Sequence, residues 1–191
     1  MHLKTKRGRT LRYISILIIL VVVVVFLLNN STTILKIVYP QKYKEIVYKY
    51  AGEYNLDTSL VYGIIKAESN FKSDAVSSKN ARGLMQITES TGKWAAGEMK
   101  LEDYSFDRLF DPETNIRMGC WYLRWLLKYF NNDTDLTIAA YNSGNGKVSQ
   151  WLKDRTLSDT GESLQKIPFK ETDNFLKKVN NYKSVYKRLY E

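Results

Sequence analysis

Glu68 is the residue of this chain whose position most suggests chemistry. Leu60, Val61, Ile64 and Ile65 recur at helical spacing behind Asp57, a good N-cap, and Glu68 continues their face at the last turn. Apolar walls and the negative end of the helix dipole both disfavour an ionised carboxylate there. Both raise its pKa, which suits a general acid working near neutral pH. The position also fits a solvated residue at a fraying helix end, and periodicity alone leaves the two readings open. Polar clusters interrupt the helical pattern at Glu68-Ser69-Asn70-Phe71, Ser77 through Gln86, Ala140 through Gly144 and Glu171 through Phe175. Singly, each has an ordinary explanation in capping or turn formation.

Composition removes several other chemistries. The only histidine is His2, so the residues beyond the N-terminal segment can build no His-based zinc site, Ser-His-Asp triad or Cys-His pair. No metal or cofactor is implied. Cys120 is the single cysteine, which excludes an intramolecular disulfide and reads as a small buried hydrophobe. Gly92-Lys93 lacks the preceding glycine of a phosphate loop.

The N-terminus reads as a membrane anchor. Residues 1–12 carry five Lys and Arg and no acid, and 13–28 are apolar apart from Ser15 and the Tyr13 ring. This predicts an uncleaved, single-pass signal-anchor helix with the basic tail in the cytoplasm and the remainder outside. A cleaved signal peptide is the competing reading, but Asn and Thr stand where a small-x-small cleavage signal belongs. Residues 29–39 read as a stalk and 40–191 as one exported domain. Of 29 Lys and Arg, 24 follow the apolar run against 20 acids, a mild +4 that suits an anionic wall and gives no argument for nucleic acid.

The elements that must hold the polar clusters are helices. Pro40 can open a helix with Tyr43, Ile46, Val47, Tyr50, Ala51 and Tyr54 on one face. Residues 72–82 read as a loop and 88–100 as a helix around Trp94. Asp111-Pro112-Glu113 starts a helix that buries Ile116, Cys120, Leu123, Leu127 and Phe130. Trp121 and Trp125 lie on a neighbouring stripe that suits core or a sugar-stacking surface, core being preferred. Short helices follow at 135–141 and 147–152, and the last helix starts near Thr172. No strand alternation is convincing, so the domain is mainly α.

Order and spacing together are far more specific than any one cluster. ESNF at 68–71, SSKNARGLMQ at 77–86, AYNSG at 140–144 and ETDNF at 171–175 resemble the four ordered motifs of the soluble-lytic-transglycosylase (SLT) type of lytic transglycosylase. The segment from Asp111 to Phe130 resembles the helix between the second and third motifs. This resemblance implies a lysozyme-like fold over roughly 43–190, acting on peptidoglycan glycan strands without a cofactor. It implies that Glu68 is the single catalytic acid, protonating the MurNAc-GlcNAc oxygen and then acting as base toward the muramic C6 hydroxyl. It implies substrate contacts at Ser77, Met85, Gln86, Tyr141, Asn142 and Glu171. Asn80 stands where the family has Gly, Asn145 where Pro is common, and Phe175 where Tyr is frequent. A muramidase on the same fold and a silent wall-binding module are the alternatives.

Overall fold

The computed structural model describes residues 3–29 and 31–191, with side chains described from residue 11 onward except 23, 24 and 27–31. The residues separate into two units, 1–40 and 41–191. In the first, α1 spans Leu3–Asn29 and α2 spans Ser31–Val38, over most of the expected stalk. Apolar side chains of α1 such as Ile16, Leu17, Ile19 and Phe26 are exposed. Among the described residues no helix is long and apolar enough to cross a membrane. The anchor expected at 13–28 falls partly on side chains 23, 24, 27 and 28, which lie outside that description.

The second unit is built from seven helices among the described residues: α3 (Lys44–Glu53), α4 (Thr58–Glu68), α5 (Glu89–Glu98), α6 (Pro112–Tyr129), α7 (Thr134–Ser143), α8 (Asn145–Lys153) and α9 (Lys170–Tyr190). A short 3-10 turn covers Phe106–Phe110. Among the described residues the only strand-like pairing is two isolated bridges, Val76 to Arg82 and Arg82 to Ile87, which pinch the loop after α4. The mainly helical expectation holds.

α4 is the centre. Asp57 caps it as expected, its carboxylate accepting from the Ser59 N–H at 2.8 Å. Every residue from Ser59 to Ile65 is buried, because the helix is apolar nearly all round. α9 lies along it closely enough to need Gly63: a Cβ there would stand 3.2 Å from the Val179 carbonyl. Tyr62 stacks on Tyr186 with ring centroids 5.0 Å apart. α6 starts at Pro112 behind Asp111, whose carboxylate accepts from the Thr114 N–H, and buries Ile116, Cys120, Leu123 and Leu127 as its periodicity predicts.

Three boundaries differ from the sequence reading. Pro40 does not start α3: Tyr43 takes a left-handed φ of 56° and the helix begins after it. α7 carries on through Asn142 and Ser143, and the break falls at Gly144, whose φ of 89° suits glycine. α8 starts at Asn145, so a residue other than proline still opens a helix there.

Candidate active site

The C-terminus of α4 is tied to the loop after it by Ser69. Its buried hydroxyl donates to the Leu84 carbonyl at 2.8 Å, which sets Glu68 beside the 82–87 turn. Asn70 and Phe71 then both take left-handed φ values, 49° and 66°, as does Gln86 at 51°. For the bulky Phe71 such a backbone is rare and is held only by its surroundings, its ring being buried.

Asn115, on the first turn of α6, holds the 82–85 turn. Its side chain is fully buried; Oδ1 accepts from the Met85 N–H at 2.7 Å, and Nδ2 donates to the carbonyls of Arg82 at 2.9 Å and Leu109 at 2.8 Å. Gly83 makes room for it. With φ at 77°, a Cβ there would lie 2.2 Å from both Asn115 Nδ2 and the Leu109 carbonyl.

Tyr141, from α7, donates its hydroxyl to the Met85 carbonyl at 2.7 Å. Burial, and next the nearby Glu68 charge, push its pKa well up, so the phenol stays protonated. Asn142 Oδ1 accepts from the buried Thr172 hydroxyl at 2.8 Å, which joins α7 to the first turn of α9. Glu171, one residue earlier, is exposed, and its charge acts on Glu68. Lys79 reaches Glu171 at 3.8 Å from the loop that holds Ser77. Glu68, Tyr141, Met85 and Glu171 are therefore linked through a direct bond or mutual electrostatics, and Asn142 is tied to the helix that carries Glu171 through Thr172.

Glu68 itself is half-buried, and its pKa is pushed up to about 7. Loss of hydration is the main cause; the Lys178 ammonium pulls it down and the Glu171 carboxylate pushes it up. Lys178 donates to the Ala67 carbonyl at 2.9 Å, capping the end of α4 next to Glu68. A carboxyl whose two forms are both populated near neutral pH, beside a locked phenol, can give a proton and take it back.

Two expected contacts take a different form. The Met85 side chain is fully buried, with Sδ against Gly119, where a Cβ would stand 2.3 Å from it. Met85 thus brings its backbone to the site. Gln86 Nε2 donates to the Ala75 and Gly83 carbonyls at 3.1 and 2.9 Å, so both amide protons are used within the loop and only Oε1 is left to accept. Ser77 Oγ accepts from the Lys79 and Ala81 N–H groups, leaving its proton to donate. Asn80 adopts φ 58° at the position where the family has glycine, a backbone that Asn tolerates.

A family model described as the transglycosylase SLT domain matches residues 45–163. The chain belongs to the SLT transglycosylase family. This SLT chain is 32% identical over 151 residues to the soluble lytic murein transglycosylase of Escherichia coli, over 78% of this chain and 23% of that protein. It is 32% identical over 208 residues to the membrane-bound lytic murein transglycosylase C of Haemophilus ducreyi, over 96% of this chain and 53% of that one. An inactive Glu-to-Gln mutant of lytic transglycosylase Slt from Pseudomonas aeruginosa superposes with a TM-score of 0.72 at 34% identity, covering 81% of this chain and 25% of that one. A 70 kDa soluble lytic transglycosylase in complex with bulgecin A also gives 0.72, at 30% identity and the same coverage. The chain thus spans about a quarter to a half of the length of these relatives.

Four residues of the SLT site escape a reading of the sequence: Ser69, Asn115, Thr172 and Lys178. Ser69 and Thr172 sit inside recognised motifs without an evident task, since either hydroxyl suits a helix end. Lys178 reads as an exposed helical lysine. Asn115 offered the one usable signal: an amide next to Ile116, on the face that the helix must bury.

Proposed function

We propose that this chain is a membrane-anchored lytic transglycosylase that cleaves the MurNAc-GlcNAc bond of peptidoglycan. The observation that carries the proposal is Glu68, a half-buried carboxyl raised to about 7 among the groups of four family motifs. Protonated Glu68 donates to the glycosidic oxygen, the bond from muramic C1 to that oxygen breaks, and GlcNAc leaves as the 4-hydroxyl. The Glu68 carboxylate then takes the proton of the muramic C6 hydroxyl as O6 bonds to C1, giving the 1,6-anhydro ring and restoring the acid. No water is consumed. Most glycosidases use two carboxylates, and intramolecular attack by the substrate removes the need for the second. Glu171 acts as a charge next to Glu68, Ser77 donates to the sugar, Gln86 accepts through Oε1, and Asn142 with Tyr141 and Met85 shapes the wall.

The basic residues 1–12, the exposed apolar side chains of α1 and the membrane-bound relatives support an anchor with the domain on the wall side. Mass spectrometry of muropeptides released from purified peptidoglycan tests the reaction. Anhydro-muramic ends, lighter by one water than reducing ends, are the expected product; reducing ends would make the chain a hydrolase.

The alkaline limb of activity reports Glu68 as acid, so activity falls as pH rises through about 7. Lys178→Met removes the charge that lowers the Glu68 pKa, and the limb moves to higher pH by about half a unit or less, since Lys178 is exposed. A limb moving down, measured on the purified variant, would remove Lys178 from this role.

A further inference from the structure

Arg82 stands at the neck of the turn beside Glu68. Its N–H donates to the Ile87 carbonyl at 3.0 Å and its carbonyl accepts from the Ile87 N–H at 3.1 Å, so residues 83–86 form a loop pinched at its base. That loop carries the Leu84 carbonyl, which takes the Ser69 hydroxyl, and the Met85 carbonyl, which takes the Tyr141 hydroxyl. The Arg82 side chain leaves the neck for the 3-10 turn. Its guanidinium lies 3.8 Å from the centre of the Phe106 ring and 5.0 Å from that of Phe110, and Nη1 donates to the Asp107 carboxylate. The Arg82 side chain is only 18% exposed against 85% for Asp107, so the rings more than the ion pair hold the guanidinium out of water. A planar, weakly hydrated cation suits that place, and an ammonium does not.

We propose that Arg82 is a positioning residue for Glu68: clamped on Phe106 and Phe110, it holds the 83–86 loop against Tyr141 and so keeps water from the carboxyl. The inference rests on the proposed transglycosylase function. Arg82 acts through Met85 and Tyr141 and not on the sugar. The titratable groups that face Glu68 are Lys178 and Glu171 on α9 and Tyr141 on α7. Loss of hydration is the largest influence on Glu68, so a loop that swings from Tyr141 and admits water lowers its pKa. Loss of a positive charge alone acts the other way, because a cation favours the carboxylate form. Direction therefore separates positioning from charge.

Arg82→Met keeps the apolar stem of the side chain and removes the guanidinium. In the full-length protein in detergent, kcat on purified peptidoglycan is expected to fall about tenfold with KM within about twofold, and the alkaline limb to move to lower pH. Arg82→Lys keeps the charge but cannot stack, and is expected to stay within about threefold of Arg82→Met. Phe106→Leu leaves Arg82 in place but half unclamped, and is expected to repeat the pattern more weakly. It carries the test if thermal melting shows Arg82→Met to be unfolded. The Glu68 carboxyl titration, followed by carbon NMR, needs no turnover, and its midpoint is expected to drop from about 7 by about half a unit or more in these variants. Parental kcat, or an unmoved or raised midpoint, in folded Arg82→Met overturns the positioning role. So does a rise in KM at constant kcat, which would make Arg82 a sugar contact, and so does full recovery in Arg82→Lys, which would leave it a charge alone. A parent that cleaves no glycan while the midpoint still drops in the variants removes the proposed function and leaves Arg82 as the residue that keeps Glu68 dry.

Discussion

Glu68→Gln is expected to lower the rate of glycan cleavage by about 10³-fold or more, because one carboxyl serves as both acid and base and an amide can do neither. Folding is expected to gain. The folded pKa of about 7 stands above the ordinary carboxyl value of 4.5, so ionising Glu68 is harder in the native state than in the unfolded chain. The sign follows from that order. The stability contributed by protonated Glu68 is fully present below about 4.5 and is lost as pH rises through about 7. The glutamine variant has no charge to desolvate, so its advantage over the parent is absent at low pH, opens across that window and levels off above it. The shift is equivalent to about 3 kcal/mol at most, and relaxation around a half-buried group leaves about 1–2 kcal/mol to be seen. Denaturant titrations of both proteins at pH 5 and pH 8, beside rate measurements on peptidoglycan, check the two halves. Retained activity would remove Glu68 as the acid. A stability difference unchanged between the two pH values would remove burial as the cause of its raised pKa.

Local physics made most of the helices legible. Asp57 before Leu60, and Asp111-Pro112 before Ile116, are short-range signals that need no tertiary partner, and both caps form. Where the chain must meet distant residues the sequence is silent or ambiguous. Tyr43 interrupts a good periodic pattern with a left-handed backbone, and nothing in residues 40–54 announces it. Met85 is apolar and so suits a cleft wall as well as a core; only Gly119, 34 residues away, turns it inward. Gln86 reads as a free amide until its own loop folds back onto it. The ordered motifs group residues that periodicity treats separately, but they carry no information on which atom of each residue is exposed. Trp121 and Trp125 are ambiguous for a related reason: an aromatic stripe beside an aliphatic one suits either core or surface, and both rings are half-buried, Trp125 packing against the buried cluster around Leu126 and Trp151.

The largest loss of stability is expected from Asn115→Leu. Leucine keeps the branched outline of the side chain and suits a helix, so neither a cavity nor poor propensity accounts for the effect, although its bulkier methyl groups add some crowding against the Gly83 turn. What disappears is a buried amide making three bonds, to the Met85 N–H and to the carbonyls of Arg82 and Leu109. The Met85 N–H and the Leu109 carbonyl would lose this partner at a cost of about 1–3 kcal/mol each, while the Arg82 carbonyl keeps the Ile87 N–H at 3.1 Å, so the loss is expected to reach about 3–5 kcal/mol. Asn115→Asp separates hydrogen bonding from shape. Its carboxylate can still accept from Met85, but it faces the two carbonyls with lone pairs and buries a charge, so it is expected to be at least as damaging. Because the same turn receives the Tyr141 hydroxyl at Met85 and the Ser69 hydroxyl at Leu84, loosening it moves the walls around Glu68. The fraction of either variant that still folds is therefore expected to lose kcat more than it raises KM. Thermal melting that puts Asn115→Leu within about 1 kcal/mol of the parent would mean that the turn is held by Gly83 and the surrounding apolar contacts, and that the buried amide is dispensable.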